Sequence, residues 1–323
     1  MRILITGAMG HVGYATVRHA LERGHEVIAQ YRNTFTEADA KALRGDITWV
    51  RCDLSDPGQL SGLLERERLD GCIHTAATPN DEVARQDPLG SIEGNDMAVS
   101  RMLDVARNQG WKRFIYVSTG SVFQNIADVT KPIYEDATPG VTNVYSTTKY
   151  IGELLTAMYR TQFGVSASVV RISWVYGPPL VPRMRQNPRG PIPIFLKLAL
   201  AGKEIHETGG ADFGAAYTYV EDVAGGLLAA FESDKLSRPI YHLSCGRNVM
   251  TPEVAAAVRK AVPGCAIELG PGMAPWTDHT RMRGPLAGSR LQEDTGFTPR
   301  YSIEEGIATF ADWMRAHPDV YSS

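Results

Sequence analysis

Residues 2–6, Arg-Ile-Leu-Ile-Thr, form a short apolar run that leads without a break into Gly7-Ala-Met-Gly10-His11-Val12-Gly13. An amphipathic helical pattern follows over Val12–Arg23. This order constrains the fold more than any other feature of the chain. Gly7 permits a tight turn, Gly10 lets the backbone approach a pyrophosphate, and Gly13 lets the helix pack close to the strand. The free N–H groups and dipole at the helix start favour an anionic diphosphate. The spacing therefore predicts a strand, a phosphate-binding turn and a helix, with His11 and Val12 beside the three glycines as candidate dinucleotide contacts.

The alternation continues. Apolar runs occur at Ile3–Thr6, Val27–Gln30, Thr48–Arg51, Cys72–Thr75, Phe114–Ser118 and Ala167–Arg171. Helical patterns at Leu60–Arg68, Ser91–Asn108 and Tyr145–Phe163 lie between the later ones. Strands separated by helices pair in parallel through right-handed crossovers, so the expected class is α/β, a Rossmann-type doubly wound parallel sheet. After Arg171 the rhythm breaks. Six prolines (178, 179, 182, 188, 191 and 193) crowd the segment from Gly177 to Pro193, a density that no strand or helix interior tolerates. Shorter elements follow: a helix at Ile194–Ala201, a strand at Tyr217–Tyr219, a helix at Asp222–Glu232 and a strand at Tyr241–Ser244. Beyond these, a helix opens with Thr251 as N-cap, and a last helix runs from Ser302, where Ser-Ile-Glu-Glu reads as a capping box. The 323 residues are thus expected to divide into a dinucleotide-binding domain, 1–172 plus about 217–240, and a smaller interleaved substrate domain, 173–216 plus about 241–323.

Composition excludes several partners. A formal net charge of −3 offers no excess of Lys and Arg for a nucleic-acid backbone. The four cysteines, Cys52, Cys72, Cys245 and Cys265, are scattered and read as reduced, buried side chains rather than disulfides or a metal set. No run approaches the ~20 apolar residues of a membrane helix, and no signal-like segment is evident, so the expected setting is the cytoplasm. No metal site is expected.

The strand ends carry the chemistry. An acid after the second strand usually accepts the adenine ribose hydroxyls of NAD. Here Tyr31-Arg32-Asn33 stands instead, and an arginine suits a ribose 2′-phosphate, so NADP is favoured slightly over NAD. Asp53-Leu54 follows the third strand as an adenine contact, with a surface helix cap as the alternative for Asp53. Ala76 and Ala77 after His74 leave room for a ring or ribose. Tyr145 and Lys149 are four apart and share one helix face. A free tyrosine ionises near pH ~10, so a nearby ammonium together with an oxidised nicotinamide is expected to stabilise the phenolate and lower that value. Ser118, Thr119 and Ser121 at the fifth strand's end can orient the reacting oxygen.

Taken together, these motifs resemble the extended short-chain dehydrogenase/reductase family, which includes sugar-nucleotide epimerases and dehydratases. The similarity runs through Thr6-Gly7-x-x-Gly10-x-x-Gly13, Asp53-Leu54, His74-x-Ala76-Ala77, Asn95, Tyr145-x-x-x-Lys149, Arg171-x-x-x-Val-Tyr176-Gly177-Pro178 and Tyr219-Val-Glu221-Asp222. It implies Thr119 as the catalytic hydroxyl, Ser118 beside it and Tyr145 as cofactor contacts, Lys149 also on the nicotinamide ribose, and Asn95 near the cofactor. It also implies a homodimer built on the helices Ser91–Asn108 and Tyr145–Phe163, where Tyr150, Leu154 and Met158 continue an apolar stripe.

Three departures bear on substrate. Gly120-Ser121 replaces the acid pair of the dehydratases, so water elimination is not expected. Ala215-Ala216-Tyr217 lacks the arginine that often holds a diphosphate, and Trp174 replaces a usual asparagine. Arg183, Arg185 and Arg189, or Arg281 and Arg283, remain as anion sites. Thr78, Thr119, Ser121, Tyr145, Trp174 and Arg183 are the candidate substrate contacts. The leading expectation is an NAD(P)-dependent oxidoreductase that interconverts a secondary alcohol and a ketone on a sugar, sugar acid or similar small substrate. The alternative is a sugar-nucleotide epimerase with tightly bound NAD, and the third reading a non-catalytic NADP-binding regulator.

Overall fold

The computed structural model describes residues 1–66, 68–126, 128–178, 189–273 and 281–320. Seven parallel strands make one sheet in the order β11-β6-β5-β4-β1-β2-β3. They are β1 (Arg2–Thr6), β2 (Glu26–Tyr31), β3 (Ile47–Arg51), β4 (Gly71–His74), β5 (Arg113–Thr119), β6 (Ala167–Ile172) and β11 (Ile240–Leu243). Side chains alternate across a strand, and both faces of this sheet are covered by helices, so the central strands are buried throughout. Ile3 and Ile5 pack with Val17, Val27, Ile73, Val223 and Leu227 on one face. Leu4 between them packs with Ile28, Leu63, Met102, Leu103 and Phe114 on the other.

The helices α1 (His11–Glu22), α2 (Glu37–Ala42), α3 (Pro57–Arg66), α4 (Asp81–Ala84), α5 (Pro88–Ile92), α6 (Ala98–Gln109), α7 (Val144–Phe163), α8 (Pro191–Leu200) and α9 (Val220–Glu232) follow in chain order. The expected helix at 91–108 is interrupted. A π-helical turn at Glu93–Met97 separates α5 from α6 and turns Asn95 and Asp96 inward. The helix expected from Ile194 begins at Pro191 instead. Pro191 and Pro193 stand in its first turn, where a missing N–H forfeits no helical bond.

The chain leaves β1 toward β2 and β3, then returns on the opposite side through β4, β5 and β6. A crevice opens at such a reversal, at the carboxyl ends of β1 and β4. The second unit holds short pairs: β7 (Trp174–Tyr176) with β10 (Tyr217–Tyr219), β8 (Ile205–Gly210) with β13 (Ile267–Gly270), and β9 (Gly214–Ala215) with β12 (Val249–Met250). With α10 (Thr251–Ala261) and α12 (Ile303–Ala316), these pack around Phe195, Leu196, Val254, Val258, Ile307 and Phe310. A short α11 (Arg290–Thr295) intervenes. Thr251 is the first helical residue rather than the cap. Met250 holds that position, its N–H donating to Glu253 Oε2 at 2.9 Å, while the Thr251 hydroxyl bonds the Phe213 carbonyl. Ser302 and Glu305 form the capping box that their spacing predicts. The strand β11 lies beside β6, so the sheet extends past residue 240.

Candidate active site

The glycine turn is held from below by Gln30. Its Oε1 accepts from Gly7 N–H at 2.9 Å, its carbonyl accepts from Ala8 N–H at 2.8 Å, and its amide donates to the Cys52 carbonyl. A polar residue inside an apolar strand was the only sequence signal for this role. Gly7 has φ +63°, and a Cβ there would stand 2.9 Å from Ala76 Cα. At Gly13 a Cβ would fall 2.2 Å from the Gly7 carbonyl oxygen. Helix α1 starts at Gly10 with no side-chain cap and no acid in its first turn. Its first N–H groups therefore face an anion cradle that any Cβ would fill, which fits a dinucleotide diphosphate.

His11 does not face solvent. Its Nε2–H donates to the Gly177 carbonyl at 2.7 Å, and burial lowers its pKa to about 4, so a neutral ring ties the glycine turn to the start of the proline-rich segment.

Around this turn opens a cleft of about 710 Å³. Gly7, Gly10, His11, Val12 and Gly13 line it at one side, with Tyr31, Arg32, Asp53, Leu54, Ala76, Ala77 and Thr78. Asp53 Oδ1 accepts from the Ser55 N–H and hydroxyl. Ser118, Thr119, Ser121, Tyr145, Lys149, Trp174, Arg189 and Arg283 also border it. Asn95 does not. It is buried, accepting from Thr78 N–H at 2.7 Å and donating to Thr148 at 2.9 Å, so it fastens the Thr78 loop to α7. Arg183 and Arg185 lie outside the described residues.

Tyr145 sits in the first turn of α7, which Asn143 and Ser146 cap reciprocally. The Thr119 side chain acts on the Tyr145 phenol and favours the ionised form. The expected depression of its pKa is not present in the protein alone. Burial drives the phenol upward, and Thr119, Arg189 and Arg283 pull against that without overcoming it. Lys149 lies one turn on, buried, with Nζ 4.2 Å from the Tyr116 ring centroid. Burial lowers its pKa to about 7, while Glu153 and Asp96 act to raise it.

Beneath this pair lies a network that the motifs only half disclosed. Arg171 meets Glu153 in a two-pronged bond, Nε–Oε1 at 2.9 Å and Nη2–Oε2 at 2.7 Å, both side chains 1% exposed. The Ser118 hydroxyl donates to Glu153 Oε1 at 2.6 Å, so its proton is committed here and toward the cleft its oxygen can only accept. Tyr145, Lys149 and Glu153 recur at every fourth position, and that spacing could have revealed Glu153. His74 is only half satisfied: Nδ1 meets Thr6 Oγ1 at 3.0 Å, but Nε2 has no partner among the described residues, and burial holds the ring neutral with a pKa of about 3.

On the substrate side, a small hollow between Trp174, Phe213, Ala215 and Ala216 receives Arg281 and Arg283. Trp174, Ser173 and Arg283 line both this hollow and the main cleft. The arginine absent from positions 215–217 is thus replaced in space by two from the 281–283 segment. Among the described residues, no group of three or more metal-binding side chains occurs.

The sequence model of the NAD dependent epimerase/dehydratase family matches residues 3–244. The chain is 28% identical to a dTDP-4-dehydro-6-deoxy-D-allose reductase of Streptomyces bikiniensis, with 98% of this chain and 96% of that one covered. It is 27% identical to a UDP-glucose 4-epimerase of Mycolicibacterium smegmatis, over 98% and 99% of the two chains. The crystal structure of the Thermus thermophilus UDP-glucose 4-epimerase in complex with NAD superposes with a TM-score of 0.81 at 25% identity, covering 98% of this chain and 99% of the other.

Proposed function

The chain belongs to the NAD dependent epimerase/dehydratase family and is an enzyme of the extended short-chain dehydrogenase/reductase type; from that premise we propose that it epimerises a nucleotide-linked sugar. The observation that carries this reading is the cationic edge that Arg281 and Arg283 give the substrate side of the cleft beside Ala215–Ala216, which suits a substrate with a phosphorylated handle. This replaces the sequence-based preference for a substrate without a nucleotide handle, and the sugar-nucleotide relatives support the change.

The residues divide the work. The glycine turn and the start of α1 hold the cofactor diphosphate, which fits their open N–H groups. A bound nicotinamide dinucleotide would supply the hydride acceptor and return the hydride. Tyr145 takes the proton of a sugar hydroxyl as the ketone forms, and returns it to that same oxygen when the carbon regains hydride on its opposite face. Thr119 fixes the phenol's orientation and offers a second hydrogen bond to the same oxygen. The Lys149 ammonium stabilises the phenolate while it exists. Gly120 and Ser121 bring no acid–base pair, which favours epimerisation over water elimination.

Incubation with UDP- and dTDP-hexoses, followed by NMR, tests the reading. We expect the C-epimer to appear with no net change in reduced-nicotinamide absorbance. Tyr145→Phe should lower the rate by about 10²–10⁴-fold. Stoichiometric production of reduced cofactor would instead restore the net dehydrogenase reading.

Three finer assignments belong to the same proposal. Arg32 is exposed at the cleft's adenosine end with no acid beside it on β2, which favours NADP over NAD, and paired KM values for the two cofactors decide. The chain divides functionally near 172, 217 and 243. Two copies associate through the exposed apolar face of α7.

A further inference from the structure

The Arg283 guanidinium lies against the turn that follows the catalytic hydroxyl. A Cβ built on Gly120 would stand 3.2 Å from Arg283 Nε and 3.4 Å from Nη2, so the guanidinium occupies the space that a side chain at 120 would fill. Asn248 Nδ2 donates to the Arg283 carbonyl at 2.8 Å and steadies the backbone that presents it. The side chain is partly buried and lines the main cleft with Tyr145 and Ser121. No carboxylate among the described residues comes within 4.0 Å of it, and the one titratable group acting on it is the Tyr145 phenol. Burial lowers its pKa only to about 10, so it is a cation at neutral pH.

A cation kept partly from water with no counter-ion is costly unless a ligand brings one. The guanidinium fork matches a carboxylate in two parallel bonds. Gly120 follows Thr119 directly, so an anion on Arg283 belongs to the part of the substrate whose hydroxyl meets Tyr145. We propose that Arg283 receives a carboxylate carried by the sugar ring itself, next to the reacting carbinol, so that the substrate is a nucleotide-linked uronic acid. Arg281, in the wall of the hollow beside Ala215–Ala216, is left to the diphosphate. Glycine at 120 then has a specific meaning: an acid there would pair with Arg283 and take the substrate's place.

This assignment rests on the sugar-nucleotide reading, and the test separates the two. UDP- and dTDP-linked glucose and glucuronate are assayed in matched pairs for epimer formation, and free glucuronate and glucose are assayed beside them. The expected result is a preference for the uronate of about 10–100-fold in kcat/KM. Arg283→Leu should remove that ratio, and Arg283→Lys, which keeps the charge without the fork, should retain part of it. Circular dichroism and NAD affinity establish that both variants fold. A neutral hexose handled as well as its uronate overturns the proposal. So does an Arg283→Leu that lowers both members of a pair equally, because the anion at Arg283 is then the diphosphate. If no nucleotide sugar is accepted, the sugar-nucleotide reading falls. An Arg283-dependent preference for free glucuronate over glucose then still upholds the carboxylate assignment, and its absence overturns that too.

Discussion

Lys149 illustrates how a single side chain's charge is set by what surrounds it. Burial disfavours the ammonium and brings its pKa to about 7, and three neighbours oppose that loss. The Tyr116 ring faces Nζ at 4.2 Å, and Glu153 and Asp96 contribute negative charge. Glu153 is already engaged by Arg171, whereas neither Asp96 oxygen has a hydrogen-bond partner among the described residues. Burial pushes Asp96 up to about 7, and Lys149 holds it below where burial alone would put it. The two groups therefore titrate in one range as a coupled pair. The neutral His74 ring also feels Lys149 but adds no charge. The ammonium is lost as pH rises through about 7, so turnover that depends on it falls on the alkaline side. Asp96→Asn removes an anion that favours the ammonium. Its absence lowers the lysine's pKa, and the alkaline limb of the kcat/KM profile should move down by about one pH unit. An unmoved limb would show that Asp96 does not act on Lys149.

At the scale of elements, α7 is the beam on which the site is built, and the Glu153–Arg171 pair fixes it to the sheet. One partner lies on α7 and the other on β6, and Arg171 also reaches the Glu135 carbonyl and His242. Removing one member of such a buried pair typically costs about 3–5 kcal/mol, because the remaining charge is left without compensation. Glu153→Leu should lower the urea midpoint accordingly, and the double variant Glu153→Leu/Arg171→Met should recover much of the loss. A single variant as stable as the wild type would contradict this. The strands and main helices were legible because their periods, two and 3.6, are written in adjacent residues. So was the glycine turn, whose spacing is local. The interruption at Glu93–Met97 was not legible, since it exists to let Asn95 bridge Thr78 and Thr148 from two distant segments. The partners of Ser118 and His11 were not legible for the same reason: Glu153 and Gly177 are brought to them by tertiary contact.

For the molecule as a whole, the question is what covers the apolar surface that folding leaves outside. Most large apolar side chains are buried, yet Leu154 is 53% exposed and Met158 39%, both on the outer side of α7. Leu154 and Met158 are one turn apart on a single face, and Met97, 44% exposed, precedes the neighbouring α6. Contiguous apolar surface of this kind marks an interface, and a two-fold pairing would set the same patch against itself. Such a dimer would bury α7 opposite the side that bears Lys149 and Glu153, stiffening the beam without touching the cleft. Sedimentation at micromolar concentration should therefore give a dimer for the wild type. Leu154→Glu/Met158→Glu, with like charges meeting across the axis, should sediment as a monomer while keeping its far-ultraviolet circular dichroism. A monomeric wild type would mean that α7 serves the site from within one chain alone.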